Sequence, residues 1–332
     1  MSESAKKKVG LLFGPEGPFP YDLIKVINNL DKGVVAEAIR VGAVPAGSPC
    51  PYDLIIDRIS HCVPFFREYT KNAFLSGTYV INNPFRFFLE KYFGYGVAEK
   101  IGVKIPKTVL IPPSHLPPCI GNREIDNVAY PIIWGRVVAM AGGFPLVLKP
   151  AEGGGWQDVY IVADMDELMD AYDLSGPKVM VLQEYIKFDH YVRVLVFGKK
   201  HVLPIRYNPF HKFHPEQPAY IVDHHHLSGE LGDLIAEQSL DICRTLDYDM
   251  NSVEFAIKDG IPYAIDFCNQ VPDARPEVVT PHYYNWILEK MADVAIEYAL
   301  NPPPLSVWDT MKKAFKVSPS EISVLSSQPE NQ

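Results

Sequence analysis

The sequence predicts an α/β chain in three units, followed by a flexible polar tail at 317–332. They are an N-terminal parallel α/β unit (residues 1–85), a small central α+β unit (86–190) and a C-terminal unit built on an antiparallel sheet (191–316). Three observations carry this. The N-terminal stretch alternates short apolar runs with helical spacing, the pattern of strand–helix–strand units. The middle of the chain holds two strand-like runs on either side of Gly153-Gly154-Gly155. Further on, VEFAI and IPYAIDF flank Lys258-Asp259-Gly260, and Asp-Gly between two such runs is a strong hairpin signal.

KVGLLF (8–13) reads as a buried strand entering the loop Gly14-Pro15-Glu16-Gly17-Pro18, to which the sequence assigns no role. Leu23, Ile24, Ile27 and Leu30 put a helix over Tyr21 to Leu30. Strands follow at Val34 to Val41 and at YDLIIDRIS (52–60), with a Pro/Gly-rich break between them. Asp57 and Arg58 fall at a carboxyl end, where parallel sheets gather ligands, although a surface ion pair explains them equally well. GTYVINNP (77–84) is a further strand, and the aromatic-rich Phe85 to Ile101 is helix-like. KIPKTVLIP (104–112) begins a strand, 112–131 is a proline-rich connector or insertion, and Trp134 to Ala141 makes a short helix.

In FPLVLKPAEGGGWQDVYIVAD (144–164) a strand ends in Lys149, a glycine loop follows, and another strand leaves it. The three glycines let main-chain N–H groups wrap an anion. No GK[ST] follows, so this is not a Walker A loop. Asp164 with Glu167 resembles a capping box for a helix to about Tyr172. KVMVLQEYI (178–186) is a strand ending in Gln183-Glu184-Tyr185-Ile186, and YVRVLVFGKKHVLPIRY (191–207) is a hairpin with Arg193 and Arg206 on its two arms. His211, His214, His224, His225 and His226 crowd residues 208–227. Histidines in this number suit Zn²⁺, but successive ones on a strand face opposite ways and no cysteine is near, which favours a polar loop bordering a substrate site. Ser228 to Leu246 and Tyr284 to Leu300 are amphipathic helices around the final hairpin.

That hairpin carries Glu254 and Asp266 among residues that otherwise favour burial. Buried carboxylates need cations. With the amide of Asn269 they form the hard-oxygen set that suits Mg²⁺ together with substrate phosphates. Acids that merely point to solvent are the alternative, and the hairpin alone does not separate the two.

Composition narrows the class. The chain has 332 residues, 47% hydrophobic and 21% charged, enough for a large core. A formal charge of -9 argues against a general nucleic-acid or anionic-membrane binder. Cys50, Cys62, Cys119, Cys243 and Cys268 are scattered and form no CxxC pair, which points to a reduced, cytoplasmic setting. No apolar run approaches the roughly 18 residues of a membrane span.

Lys149 before a glycine loop, a Gln-Glu strand end, two arginines and an acid pair with Asn are what a nucleoside triphosphate needs. In order and spacing these parts resemble the ATP-grasp superfamily over residues 52–300, in particular its glutathione-synthetase and RimK-like branch of carboxylate–amine ligases. LEKYFGYGVAEKIGVKIPKTV resembles the family segment whose lysine contacts ATP phosphates, which implies Lys91. LVLKPAEGGG resembles the central lysine strand and phosphate loop, implying Lys149, Gly153, Gly154 and Gly155. VLQEYI resembles the adenine hinge, implying Gln183, Glu184, Tyr185 and Ile186, with Asp189 as the acid on the ribose. YVRVLVFG implies Arg193 near the transferred phosphoryl group, and Arg206 matches a second basic position near the substrate. VEFAIKDGIPYAIDFCN resembles the metal hairpin, implying Glu254, Asp266 and Asn269 on two Mg²⁺ ions, with Mn²⁺ as a substitute. The family pattern sets the Asn two residues after the second acid, where this chain has Cys268. Either a bulge turns Asn269 inward or the second metal has fewer ligands.

The resemblance implies an ATP- and Mg²⁺-dependent ligase that joins a carboxylate to an amine through an acyl phosphate, on an amino acid or small peptide. It implies no nucleic-acid or membrane partner, and homo-oligomers are common in the family. The rival from a different class is a non-catalytic nucleotide- or partner-binding protein with a degenerate domain. Arg58, Arg206, His211, His214 and Arg275 border the acceptor side, and their charge points to an acidic acceptor.

Overall fold

The computed structural model describes residues 5–86, 90–117, 119, 126–223 and 225–304. The N-terminal unit is a parallel sheet in the order β2-β1-β3-β4, made of β1 (Lys7–Leu12), β2 (Val34–Ala38), β3 (Leu54–Asp57) and β4 (Tyr79–Ile81). α1 (Phe19–Leu30) joins β1 to β2 and begins before the predicted Tyr21; it buries Phe19 with the predicted Leu23 and Ile27, while Leu30 is exposed. α2 (Pro64–Leu75), which the sequence reading leaves out, joins β3 to β4. It starts with proline in its first turn, where a missing N–H costs nothing, but buries only Thr70, Ala73 and Phe74. That stripe is too short to show as periodicity.

α3 (Lys91–Lys100) leads into the central unit. Its antiparallel sheet runs β5-β8-β6-β7, from β5 (Thr108–Ile111), β6 (Leu146–Pro150), β7 (Tyr160–Val162) and β8 (Met180–Glu184). α4 (Trp134–Met140) and α5 (Met165–Ser175) belong to the same unit. Asp164 caps α5 by accepting from the Glu167 amide at 3.0 Å, while the Glu167 side chain reaches back to the Ala163 amide at 2.8 Å.

The C-terminal sheet is antiparallel in the order β11-β10-β9-β12-β13, from β9 (His190–Phe197), β10 (His201–Tyr207), β11 (Tyr220–Ile221), β12 (Met250–Lys258) and β13 (Ile261–Asn269). One face carries Val192, Val194, Val196, Val253 and Phe255 under α6 (Gly229–Leu246) and α3. The other carries Leu195, Phe197, Ile205 and Ala256, and packs through α7 (Pro276–Leu300) into the core of the N-terminal sheet. α7 begins before the predicted Tyr284 and breaks at Thr280 (φ 69°), just ahead of Pro281. The flexible-tail reading at 317–332 falls outside the described residues, as does His224.

Candidate active site

The β12–β13 hairpin turns through Asp259 (φ 52°) and Gly260 (φ 73°), with Lys258 paired to Ile261. Two left-handed residues in a two-residue loop are what Asp-Gly favours. Up to Phe255–Ala264 the pairing is regular. Glu254 then pairs with Asp266 and Ser252 with Asn269, with a register shift on either side of Glu254. Directly opposed residues share a face, as do residues two apart on a strand. Glu254, Asp266, Ser252 and Asn269 therefore lie on one face, while Phe267 and Cys268 are both buried in the core on the other. The extra residue beside Cys268 is accommodated by the bulge, and the Asn269 amide donates to Ser252 Oγ at 2.7 Å.

Arg193 on β9 pairs with Glu254 across the ladder, so strand alternation brings it to the same face. Its guanidinium forms an ion pair with Glu254 Oε1 and donates to the Tyr220 hydroxyl at 2.9 Å. It also sits 3.9 Å from the Tyr207 ring centroid, a cation–π contact. Burial works against its charge, but Glu254 and the two tyrosine hydroxyls outweigh it and hold the pKa well above the ordinary arginine value. Its Nε–H is buried without an acceptor among the described residues. The Tyr191 hydroxyl donates to Glu254 Oε2 at 2.6 Å.

From the other side come two lysines. Lys91 is the first residue of α3, and its amide donates to the Ala151 carbonyl at 2.7 Å, which fixes the helix start to the end of β6. Its ammonium donates to the Gly153 carbonyl and lies 3.6 Å from Asp266 Oδ2. Lys149, 5% exposed, donates to the Tyr95 hydroxyl at 2.6 Å and to the Ile265 carbonyl at 3.3 Å. Burial pulls its pKa down to about 8, against the attraction of Asp266. Burial also opposes the charge on Asp266, but Lys91 and Lys149 prevail and keep its pKa below the ordinary carboxylate value.

Gly153 (φ 106°) and Gly155 (φ 67°) take left-handed backbone conformations in the loop after Lys149. Gln183 is buried in β8 and donates to Thr108 Oγ1 at 2.7 Å. After Glu184, whose amide donates to the Lys107 carbonyl at 2.9 Å, the chain leaves the central sheet through Tyr185 and the buried Ile186 and enters the C-terminal sheet at His190. This crossing places the expected hinge between the two sheets that carry Lys149 and Arg193.

Two expected residues are not brought to this group. Arg206 pairs with Val192, on the opposite face from Arg193; it is half exposed and bound to Asp223 at 3.0 Å. Strand alternation sends it to the other side of the sheet. Asp189 is exposed, and its carboxylate accepts from the Asp259 amide at the hairpin turn (2.9 Å). It also lines a cavity of about 320 Å³ with Phe188, Tyr191, Tyr207 and Phe210, and Arg206 borders the same cavity.

The three arginines expected on the acceptor side are paired with acids. Arg58 is buried against Glu16 (2.6 Å), while the half-exposed Arg206 and Arg275 pair with Asp223 (3.0 Å) and Asp273 (2.6 Å). Each of these charges is thus already balanced by an acid of the chain. Glu16 belongs to the 14–18 loop, so that loop closes over the end of β3. Among the described residues, which leave out His224, no group of three or more His, Cys, Asp or Glu could hold a metal. Tyr95, Tyr191, Tyr207 and Tyr220, which contact Lys149, Arg193 and Glu254, are given no role in the sequence reading. Only Tyr191, two residues before Arg193 on a strand, carries a signal that could have found it.

No protein-family model matches the chain. It is 28% identical over 173 residues to the D-alanine–D-alanine ligase of Bacillus anthracis, covering 48% of this chain and 55% of the relative. The chain thus spans about half the length of the curated relatives it matches. Solved structures match along most of both chains. The B. anthracis D-alanine–D-alanine ligase complexed with ATP superposes with a TM-score of 0.57 at 18% identity, over 89% of this chain and 97% of the other. The VanG D-Ala:D-Ser ligase of Enterococcus faecalis gives 0.62 at 14% identity, over 89% and 99%. An ATP-grasp RimK domain protein of Sphaerobacter thermophilus gives 0.59 at 16%, over 88% and 98%. The chain shares its fold with these ligases and with the ATP-grasp RimK domain protein. In sequence it resembles the D-alanine–D-alanine ligases over about half its length.

Proposed function

We propose that this chain is an ATP- and Mg²⁺-dependent ligase that joins a carboxylate to an amine through an acyl phosphate, with an amino acid or small peptide as substrate. The observation that carries the reading is the convergence of Lys91, Lys149 and Arg193 on the paired acids Glu254 and Asp266 of the hairpin. Three cations beside two acids are a costly arrangement without an anionic ligand and a metal to share the charge. The buried, unpartnered Arg193 Nε–H adds a donor for an anion.

The residues fit Mg²⁺. Glu254 and Asp266 supply hard carboxylate oxygens, Asn269 an amide, and substrate phosphates complete such a shell. When bound, the metal ions neutralise charge on the transferring phosphate. The chain's own groups do the rest. Lys91 and Lys149 bind ATP phosphates, the amides of Gly153 to Gly155 cradle them, and Gln183, Glu184, Tyr185 and Ile186 receive the adenine. Asp189 is assigned to the ribose, from the rim of the cavity beside Phe188. Arg193, held by Tyr207, Tyr220 and Glu254, meets the charge that develops as the substrate carboxylate takes the γ-phosphoryl group. The amine then displaces phosphate from the acyl carbon. No protein nucleophile is required; positioning and charge stabilisation suffice. Among the described residues no helix is long and apolar enough to cross a membrane, and all five cysteines are free thiols, which supports the cytoplasmic assignment.

Glu254→Gln tests the reading: its one amide oxygen stays with Arg193, the Tyr191 hydroxyl turns to accept from the amide nitrogen, and the negative charge is gone. ATP-dependent phosphate release with an amino-acid mixture is expected to fall by about a hundredfold or more, with the fold retained. Wild-type turnover in this variant sinks the assignment.

A further inference from the structure

Trp156 follows the glycine loop directly and is itself at positive φ (61°). For a residue with a side chain that conformation is unfavourable and persists only where its surroundings hold it. The surroundings come from the segment after β10. Trp156 meets Phe213 edge-on at 5.5 Å and 89°, and Phe210 at 6.0 Å. Lys212, between those two rings in sequence, donates to the Gly155 carbonyl at 2.8 Å. Phe210 stacks on Phe188 at 6.0 Å and 19°, Phe188 meets Tyr191 at 5.1 Å, and the Tyr191 hydroxyl bonds Glu254. At the other end of the loop, Lys91 holds the Gly153 carbonyl. An unbroken line of contacts thus joins the tip of the glycine loop to an acid of the hairpin. Phe213 is 59% exposed, so burial in a core does not explain its place, whereas the Trp156 contact does.

Resting on the ligase reading above, we propose that Trp156 is a positioning residue: it clasps the glycine loop to the 208–214 segment and closes the phosphoryl-transfer site against water. The clasp matters chemically because an acyl phosphate has two fates. An amine nitrogen attacks the acyl carbon, the carbon–oxygen bond to phosphate breaks, phosphate leaves with that electron pair, and the amine releases a proton. Water attacks the same carbon in the same way, restores the carboxylic acid and wastes the ATP. Excluding water decides between them. A loop of three glycines does not hold itself closed, and an aromatic clasp from the 208–214 segment supplies the hold that the loop lacks.

The test uses the full chain and its variants Trp156→Ala, Phe213→Ala and Trp156→Phe. Amide product and ADP are measured together with Mg-ATP and an amino-acid mixture. In both alanine variants the ratio of ADP released to amide formed is expected to rise about fivefold or more and the KM for ATP about tenfold. Trp156→Phe, which keeps a ring, is expected to stay near wild type. Limited proteolysis in Mg-ATP gives a readout independent of turnover: cleavage within residues 152–158 is slow in wild type and in Trp156→Phe and fast in Trp156→Ala. Unchanged coupling in the alanine variants overturns the clasp. If the wild-type chain releases no ADP with any acceptor, the ligase reading fails and proteolysis alone decides, equal cleavage of wild type and Trp156→Ala overturning the clasp.

Discussion

Replacing Lys149 by methionine separates what this residue does for the fold from what it does for chemistry. Its ammonium is buried, and burial lowers its pKa from 10.5 to about 8. In the unfolded chain it returns to its ordinary value. Between pH 8 and 10.5 the unfolded chain therefore binds a proton that the folded chain does not, and stability rises with pH across that window. Below pH 8 the penalty for burying the charge is fully present, on the order of 3 kcal/mol at 1.36 kcal/mol per pH unit. Methionine has a similar length and no charge. Its introduction leaves no obvious orphan, since the Tyr95 hydroxyl still donates to the Ile265 carbonyl at 2.5 Å and Asp266 keeps Lys91 at 3.6 Å. Lys149→Met is thus expected to be about 1–3 kcal/mol more stable than wild type at pH 7 in urea denaturation, with the gap closing by pH 10. ATP turnover is expected to vanish. In wild type, kcat/KM for ATP should fall above about pH 8 as Lys149 loses its proton. A variant less stable than wild type at pH 7, or a stability gap that does not change with pH, refutes the argument.

Tyr191→Phe removes one hydrogen bond to a carboxylate and is expected to lower kcat/KM roughly ten- to hundredfold with little change in melting temperature, read by phosphate release and thermal denaturation. If Asn269 stands with the two acids, Asn269→Ala should raise the Mg²⁺ concentration for half-activity about tenfold, whereas Cys268→Ala, on the buried face, should change stability and leave the Mg²⁺ titration alone. Equal effects of the two would mean that the bulge does not set their roles. Arg206→Ala should change turnover by less than about threefold, because its half-exposed guanidinium is paired with Asp223 on the face opposite Arg193; a loss of tenfold or more would return Arg206 to the site.

Much of the fold was legible because local rules and tertiary demands agree. Asp259-Gly260 makes the turn its residues favour, Asp164 and Glu167 cap α5, and Leu23 and Ile27 fall on the buried face of α1. α2 escaped because three buried residues in twelve do not make a period. The histidine-rich segment reads as a loop and hides β11, whose two residues are too few to alternate.

For the candidate site, residue type and order along the chain marked Lys149, the glycine loop, Arg193 and the acid pair as candidates, since phosphate and metal chemistry restricts which side chains serve, and Lys91 came from the family resemblance alone. Face and partner were not. Arg193 and Arg206 look alike in sequence, and only the ladder, with Arg193 opposite Glu254 and Arg206 opposite Val192, puts them on different sides of the sheet. Cys268 and Asn269 pose the same problem at closer range, and the register shift beside Glu254 pairs Asn269 with Ser252, on the strand face of Glu254. Tyr95 and Tyr220 come from distant parts of the chain to meet Lys149 and Arg193. Such contacts depend on how separate sheets pack against one another, and no spacing along a sequence encodes that distance.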